Sequence, residues 1–416
     1  MAKKRSLTTK ILISLAFGLI VGIIVYQLPD SAFKETVLIN GIFLFLGQVF
    51  LRAIMMVVIP LVFVSLVNGA ANMGDIKKLG RVGTKTIIFY LTTTAFAVSL
   101  ALLLGYILKP GYGLNMGSIS SVEVTIAEKI PLVQVLYEMI PNNVISAMAN
   151  GNMLQIIVFA LLTGVALSLL GDRVNIVLKL FEQLNELVMK LVEIVMLFAP
   201  FGVFGLIART FSTVGYTAMI PLLKFILVVY LGLVIHMLVV YGLLLKGLGK
   251  INVSKFLKKF SPAMFVAFST ASSSATIPFS LDICENSIGV SKDIASFTIP
   301  LGATINMDGT AIMQGVAAFF VAQVYGVDLS LSAILTVVLT ATLASIGTAG
   351  VPGAGTIMLS MVLQSVGLPL EGIGLIMGID RIIDMGRTTL NVTGDAVCTA
   401  IIAKQEKEFN EEIFNS

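Results

Sequence analysis

Between Gly378 and Thr399 the chain reads GIDRIIDMGRTTLNVTGDAVCT, a run that carries Asp380, Arg381, Asp384, Arg387 and Asp395. At about 3.6 residues per turn, Asp380, Asp384, Arg387, Thr388, Asn391 and Asp395 share one helix face roughly 100° wide. Carboxylates on such a face take cations or ammonium groups, and the planar fork of Arg387 takes a carboxylate. The opposite arc, Ile383, Met385, Leu390 and Val392, suits lipid or apolar neighbours. A soluble amphipathic helix would show the same stripe, but the flanking sequence is too oily for that. Ionisable groups at membrane depth face a polar cavity and mark a pathway. This helix is the expected binding site.

The elements that must position it are membrane spans. Of 416 residues, 57% are hydrophobic and only 12% charged, with a mean hydropathy of +1.00. A typical soluble domain carries about 25% charged residues, so the composition is that of an all-α polytopic membrane protein. Cys284 and Cys398 are too few for a disulfide framework and have no metal-ligand spacing. His236 lies in an apolar run and is expected to be a satisfied structural histidine. The net charge of +4 fits basic cytoplasmic loops and does not suggest a nucleic-acid partner.

The basic start, MAKKRSLTTK, precedes the charge-free run Ile11–Leu28, read as a first retained span because no small-residue cleavage site follows. A second span covers about 40–70, with Pro60 inside it, and a third Thr86–Leu108. Residues 109–152 are rich in Gly, Pro, Ser and Asn and read as an external segment. A fourth span includes at least Met153–Gly171, in an element that looks broken because its charge-free run begins at Met139. Lys179, Glu182, Glu186, Lys190 and Glu193 form a charged stripe that leads without interruption into Ile194–Ala208, giving one long fifth helix. The sixth spans about 219–245. The N-terminus, residues 77–85, Arg173 with Lys179, and residues 246–259 are basic and fall on one side, so both termini are expected in the cytoplasm.

The second half departs from simple spans. Leu329–Leu370 is charge-free and, if wholly helical, would be about 63 Å long, twice a bilayer core. Its middle, SIGTAGVPGAG (Ser345–Gly355), suits no straight helix, so it is either a tight turn between spans or a re-entrant hairpin tip. Phe260–Leu281 has a similar centre, STASSSATIP. Each tip is followed by a helix with one polar pattern: in ATINMDGTAI and TTLNVTGDAV, Thr304 matches Thr389, Asn306 matches Asn391 and Gly309 matches Gly394. Two such units entering from opposite sides make an inverted repeat with a polar centre near the midplane, the plan of a secondary transporter.

Asn306, Asp308 and Thr310 are expected to face the polar side of the last helix. Asp308, Asp380, Asp384 and Asp395 against Arg381 and Arg387 leave a formal charge of −2, which invites cations. Broken backbone at the tips offers carbonyls to hard cations and N–H groups to a carboxylate. A zwitterion with an extra carboxylate, moved together with cations, meets these requirements. Structural salt bridges could account for part of the charge, above all for Asp380 and Arg381. Asn391-Val392-Thr393 is a glycosylation sequon buried mid-helix, and Gly350–Gly355 lacks the Lys-Ser/Thr of a phosphate loop. No HExxH, serine elbow or Cys/His nucleophile pattern points to an enzyme.

The motifs SSSATIP, NMDGT, SIGTAGVPGAG and DMGRTTLNVTGD closely resemble those of the dicarboxylate/amino acid:cation symporter family, which includes archaeal sodium-coupled aspartate transporters and animal excitatory amino acid transporters. The resemblance covers essentially the whole chain. It implies eight transmembrane helices, two re-entrant helical hairpins, and a homotrimer in a prokaryotic plasma membrane. Residues 1–75 (helices 1 and 2) and 130–217 (helices 4 and 5) would form a scaffold. Residues 76–129 (helix 3 and an external loop), 218–251 (helix 6) and 252–416 (hairpin 1, helix 7, hairpin 2, helix 8) would form a transport domain moving like an elevator. The cargo would be L-aspartate and/or L-glutamate with Na+.

By motif position, Arg387 would bind the side-chain carboxylate with help from Thr310, and Asp384 the amino group with Thr388 beside it. Asn391 and Ser273, next to Ser272, would bind the main-chain carboxylate, and Val351 and Gly355 would contribute from the second tip. One sodium site would use Asp395 with the backbones of Gly302, Asn306 and Asn391. A second would use carbonyls of Thr304, Ser345, Ile346 and Thr348. A third would use Tyr90, Thr93, Thr94, Asn306 and Asp308.

Departures from the family pattern matter. Archaeal relatives place an arginine where this chain has Ala271, and animal relatives place one at the position of Met385. Here Arg381, one turn earlier, is expected to take over that charge close to Asp380 or Asp384. Gln314 stands where proton- and potassium-coupled animal transporters have glutamate, which favours sodium-only coupling. Retaining both Arg387 and Asp384 favours acidic amino acids over neutral ones or dicarboxylates. The rivals are a proton-coupled glutamate symporter on the same fold and, from another class, an anion-conducting channel.

Overall fold

The computed structural model describes residues 7–72, 81–114, 137, 140–346, 348 and 353–416. The described chain is helical almost throughout. Two sets of helices can be told apart by what they pack on. The first contains α1 (Leu7–Gln27), α2 (Leu44–Asn72), a short α4 (Val144–Asn150), α5 (Met153–Leu170), α6 (Asn175–Leu197) and α7 (Ala199–Val214). Here α1 lies along α7, and α2 is gripped by α5, α6 and α7. The second set contains α3 (Arg81–Leu108), α8 (Met219–Ile235, wound on more loosely to Gly249), α9 (Val253–Thr270), α10 (Ser273–Ile283), α11 (Lys292–Ile305), α12 (Asp308–Tyr325), α13 (Leu331–Ser345), α14 (Ala354–Ser365), α15 (Gly372–Met377), α16 (Asp380–Glu406) and a terminal turn, α17 (Glu411–Asn415). Its centre is α16, against which α9, α11 and α12 pack, while α3 covers α12. The two sets meet mainly where α14 lies on α2 and where α15 lies on α7.

Among the described residues, Phe33–Phe50, Arg81–Leu108, Gln155–Leu191, Met219–Gly249 and Lys292–Tyr325 are helical stretches long and apolar enough to cross a bilayer. Shorter apolar helices, among them Ile13–Gln27, Leu331–Ser345 and Ala354–Ser365, join them. Many helix starts are fixed by side-chain caps. Ser272, Ser291 and Ser330 each accept from the amide three residues on, and Asn143 and Asn252 do the same.

Two helical hairpins stand out. In the first, α9 and α10 pack together across Ala271 and Ser272, and Ala271 takes the left-handed conformation (φ +50°) that ends α9. In the second, α13 packs on α14 across a tip of which Gly347, Ala349, Gly350, Val351 and Pro352 lie outside the described residues.

Two sequence expectations need correction. The long fifth helix is two helices. It breaks at Phe198, because Pro200 has no N–H to continue the ladder and starts a new helix instead. The pattern ATINMDGTAI does not lie on one helix either. The chain unwinds at Asn306 (φ −85°, ψ 98°) and Met307 between α11 and α12, while its counterpart in α16 is unbroken. In the apolar arc of α16, Ile383, Leu390 and Val392 lie in the hydrophobic core, one of the two surroundings the sequence allowed, and Ile382 is exposed.

Candidate binding site

Along α16 the charged face turns inward, and Asp380, Asp384, Arg387, Thr388, Asn391 and Asp395 are all buried. Arg387, 2% exposed, lies between two carboxylates. Its Nε donates to Asp384 Oδ1 at 2.8 Å, and its Nη1 lies 3.3 Å from Asp380 Oδ1. The Asp380 contact is not aligned as a hydrogen bond, so Nη1 remains a buried donor without a partner. A buried donor in that condition costs about 1–3 kcal/mol, which an incoming acceptor would recover. The second hairpin closes over it. A Cβ added at Gly355 would lie 2.8 Å from Nη1 and 2.8 Å from Thr310 Cγ2, so the missing side chain lets α14 approach the guanidinium closely.

Asp384 collects donors from several elements. Besides Arg387, it accepts from the Gly353 amide of the second tip at 3.2 Å and, at 3.5 Å, from Thr388. Arg381 Nη1 lies 3.7 Å from its Oδ2, and Arg381 Nη2 reaches the Thr270 carbonyl of the first tip at 3.2 Å. Arg381 therefore sits by Asp384 rather than Asp380. Of the first-tip residues, Ser273 is buried and Ser272 caps α10. Val351 is outside the described residues.

A second polar centre lies deeper, where the break in α11–α12 meets α16. Asn306 Nδ2 donates to the Asn391 carbonyl and to Asp395 Oδ1, both at 2.9 Å. The Gly309 amide donates to Asn391 Oδ1 at 2.7 Å, and Asn391 Nδ2 lies 3.5 Å from Thr310 Oγ1. The pair matched in the sequence repeat, Asn306 and Asn391, thus meets directly. Asp308 is wholly enclosed. Thr94 Oγ1 donates to its Oδ1 at 2.6 Å, Tyr241 OH to its Oδ2 at 2.7 Å, and His236 Nε2 lies 3.1 Å from the same Oδ2.

Nearby, Tyr90 OH donates to the Thr298 carbonyl, Thr93 Oγ1 bonds the Tyr90 carbonyl, and a Cβ on Gly302 would collide with Tyr90 OH and the Asp395 carboxylate. Asn306 Oδ1 is buried with no hydrogen-bond partner. A free amide oxygen beside two carboxylates, hydroxyls and unwound carbonyls suits a hard cation. Among the described residues no group of three or more His, Cys, Asp and Glu could hold a metal ion. Ser345, Ile346 and Thr348 lie together at the end of α13, and Thr304, in the last turn of α11, is exposed with its hydroxyl bonded back to the Leu301 carbonyl.

Sequence reasoning missed His236 and Tyr241 as partners of Asp308. They lie 72 and 67 residues away and carry no local pattern. It also missed the Gly353 amide, since a backbone donor leaves no trace in residue types.

Residues 7–405 match the model of the sodium:dicarboxylate symporter family. The chain belongs to that family. Family membership makes it a membrane symporter rather than an enzyme, in keeping with its run of apolar helices. Full-length relatives agree. A proton/sodium-glutamate symport protein of Geobacillus stearothermophilus is 38% identical over 99% of this chain and 97% of its own. A proton/glutamate-aspartate symporter of Escherichia coli is 35% identical over 98% and 95%. A C4-dicarboxylate transport protein of Bacillus subtilis is 33% identical over 98% and 95%.

Proposed function

We propose that this symporter carries L-aspartate and/or L-glutamate, coupled to sodium, across the cell membrane. The observation that carries the reading is the buried Arg387, with a donor to spare, next to Asp384 and beneath the second hairpin. The guanidinium takes the side-chain carboxylate, assisted by Thr310, and Asp384 with Thr388 takes the ammonium. Asn391, Ser272 and Ser273 receive the main-chain carboxylate, and Val351 and Gly355 close over it. The names of two relatives, glutamate and glutamate-aspartate symporters, support this cargo.

Sodium is carried at the deeper centre, by Asp395 with the backbones of Gly302, Asn306 and Asn391, and by Tyr90, Thr93, Thr94, Asn306 and Asp308. A further position uses carbonyls of Thr304, Ser345, Ile346 and Thr348. In this reading the chain has eight transmembrane helices and two re-entrant hairpins and assembles as a homotrimer with cytoplasmic termini. The first helix set is a static scaffold, and the second moves against it as an elevator.

The test is labelled L-aspartate uptake into proteoliposomes, with and without an inward sodium gradient, for the unaltered chain and Arg387→Ala. Removing Arg387 takes the shared cation from two buried carboxylates and leaves Arg381 alone beside Asp384, so sodium-driven uptake is expected to fall about 100-fold or more. Uptake driven by a pH gradient and indifferent to sodium would favour the proton-coupled alternative, in line with relatives named for both ions. Current without saturable uptake would favour an anion channel. No uptake of either acidic amino acid would overturn the reading.

A further inference from the structure

Asp384 is tied to the tips of both hairpins, directly to the second and through Arg381 to the first. Its Oδ2 accepts from the Gly353 amide of the second tip, and the same oxygen faces Arg381 Nη1. Through its other terminal nitrogen, Arg381 holds the Thr270 carbonyl at the end of α9. Carbonyls in the last turn of a helix lack intrahelical donors, so this bond satisfies a group that would otherwise be unpaired. The opposite oxygen is engaged by Arg387 Nε. With one amide and two guanidinium groups around it, the carboxylate is neutralised by the chain's own donors. An ammonium group arriving at Asp384 has to displace one of them.

We propose that Arg381 is an internal counter-charge that, together with the Gly353 amide, takes the place of the cargo's ammonium at Asp384 and so lets both hairpin tips stay closed when no cargo is carried. This rests on the reading of Asp384 as the ammonium partner. The chemistry requires some such device. A symporter that accumulates its cargo must return across the membrane without it, and an unpaired carboxylate in a closed, buried site would oppose that return. Arg381 is suited to the task because its two terminal nitrogens reach in different directions, one to the carboxylate and one to the first tip, which the single head group of lysine cannot reproduce. The loaded carrier needs no such stand-in, because the ammonium itself neutralises Asp384. Arg381 should therefore matter for the cargo-free half of the cycle and little for the loaded half.

Net uptake into cargo-free vesicles requires the cargo-free return, whereas exchange of labelled for unlabelled L-aspartate across vesicles loaded on both sides does not. For Arg381→Gln, net uptake is expected to fall about tenfold with exchange changed less than about twofold. Exchange doubles as the check that the variant is folded and inserted. Should the glutamine variant fail that check, Arg381→Lys carries the test: it keeps the charge but loses the fork, and the ratio of net uptake to exchange should still fall about threefold. Equal losses in both assays, or no loss in either, would overturn the proposal while leaving the assigned function standing. Absence of acidic amino acid exchange by the unaltered chain would overturn both.

Discussion

Gly309 opens α12 with its Cα pressed against the backbone of α16. A Cβ there would lie 2.6 Å from Arg387 Cα and 2.8 Å from the Arg387 carbonyl carbon, where ordinary contact begins at 3.4 Å. Backbone atoms cannot rotate aside, so in Gly309→Ala the two helices must separate by about 1 Å. That separation stretches the 2.7 Å bond from the Gly309 amide to Asn391 Oδ1 out of hydrogen-bonding range. Overpacking of this kind costs about 1–3 kcal/mol and the unpaired buried donor about 1–3 more, for a total of about 2–6 kcal/mol.

At about 2 °C per kcal/mol for a large chain, the melting temperature of the purified protein should drop by about 4–12 °C. Sodium-dependent aspartate binding should weaken about tenfold or more, because Asn391 and Thr310 both lose their register. Gly247→Ala is the matched control. It is the same substitution at a helical glycine with nothing within 4 Å of the added Cβ, and it is expected to be neutral or slightly stabilising. The assay is thermal loss of the monodisperse peak in detergent, with labelled aspartate binding measured on the same samples. If Gly309→Ala melts and binds like Gly247→Ala, α12 and α16 are not in the close contact described, and the site built upon it is wrong.

Two further outcomes concern the ends of the last helix. Lys85 and Arg81 together hold the Glu406 carboxyl below the ordinary carboxylate range. Their clamp between α3 and α16 is fully present above the unfolded value of about 4.3 and is lost as pH falls through the lower folded value. Glu406→Gln should melt no more than about 2 °C below the unaltered chain at pH 7, since the Arg81 partner is solvent-exposed and Lys85 partly so, and pairs screened in this way contribute about 1 kcal/mol, and the two curves should converge below about pH 4. Phe414, 4% exposed, is covered by Lys255 and Lys259, whose ammonium groups lie 5.5 Å and 5.7 Å from its ring centre. Phe414→Ala should free the tail and speed tryptic cleavage after Lys407 about tenfold or more, while an unchanged digestion rate would show that the tail is held by its backbone alone.

The polar face of α16 was legible because five charges in so oily a chain have no bland explanation once the helical period is applied. The meeting of Asn306 and Asn391 followed from matching two short segments. What escaped the sequence is tertiary. Asn306–Met307 carries no Gly or Pro to announce a break. The helix ends there with the Asn306 amide still bonded to the Gly302 carbonyl, while the Asn306 side chain is held by α16. His236 read as a satisfied core residue, yet its Nδ1 has no partner and its Nε2 lies on Asp308. The charged stripe from Lys179 to Glu193 ran on into apolar residues and gave no sign of the turn at Phe198, because Pro200 is as welcome at a helix start as it is unwelcome inside one.

The order of synthesis bears on how the C-terminal segment holds the first hairpin. The Asn410 amide donates to the Gly289 carbonyl, Val290 pairs with Phe409, and Lys255 and Lys259 reach the carbonyls of Asn415 and Ile413. These residues leave the ribosome after every element they clamp. Until they arrive, Lys255 lacks the Asn415 carbonyl, Lys259 keeps only the Ser287 carbonyl, and the bridge at Val290 is unmade. The first hairpin is therefore fastened only after Phe409 and the residues beyond it have been made, and a nascent chain stalled before Phe409 would present it unfastened to the quality-control machinery.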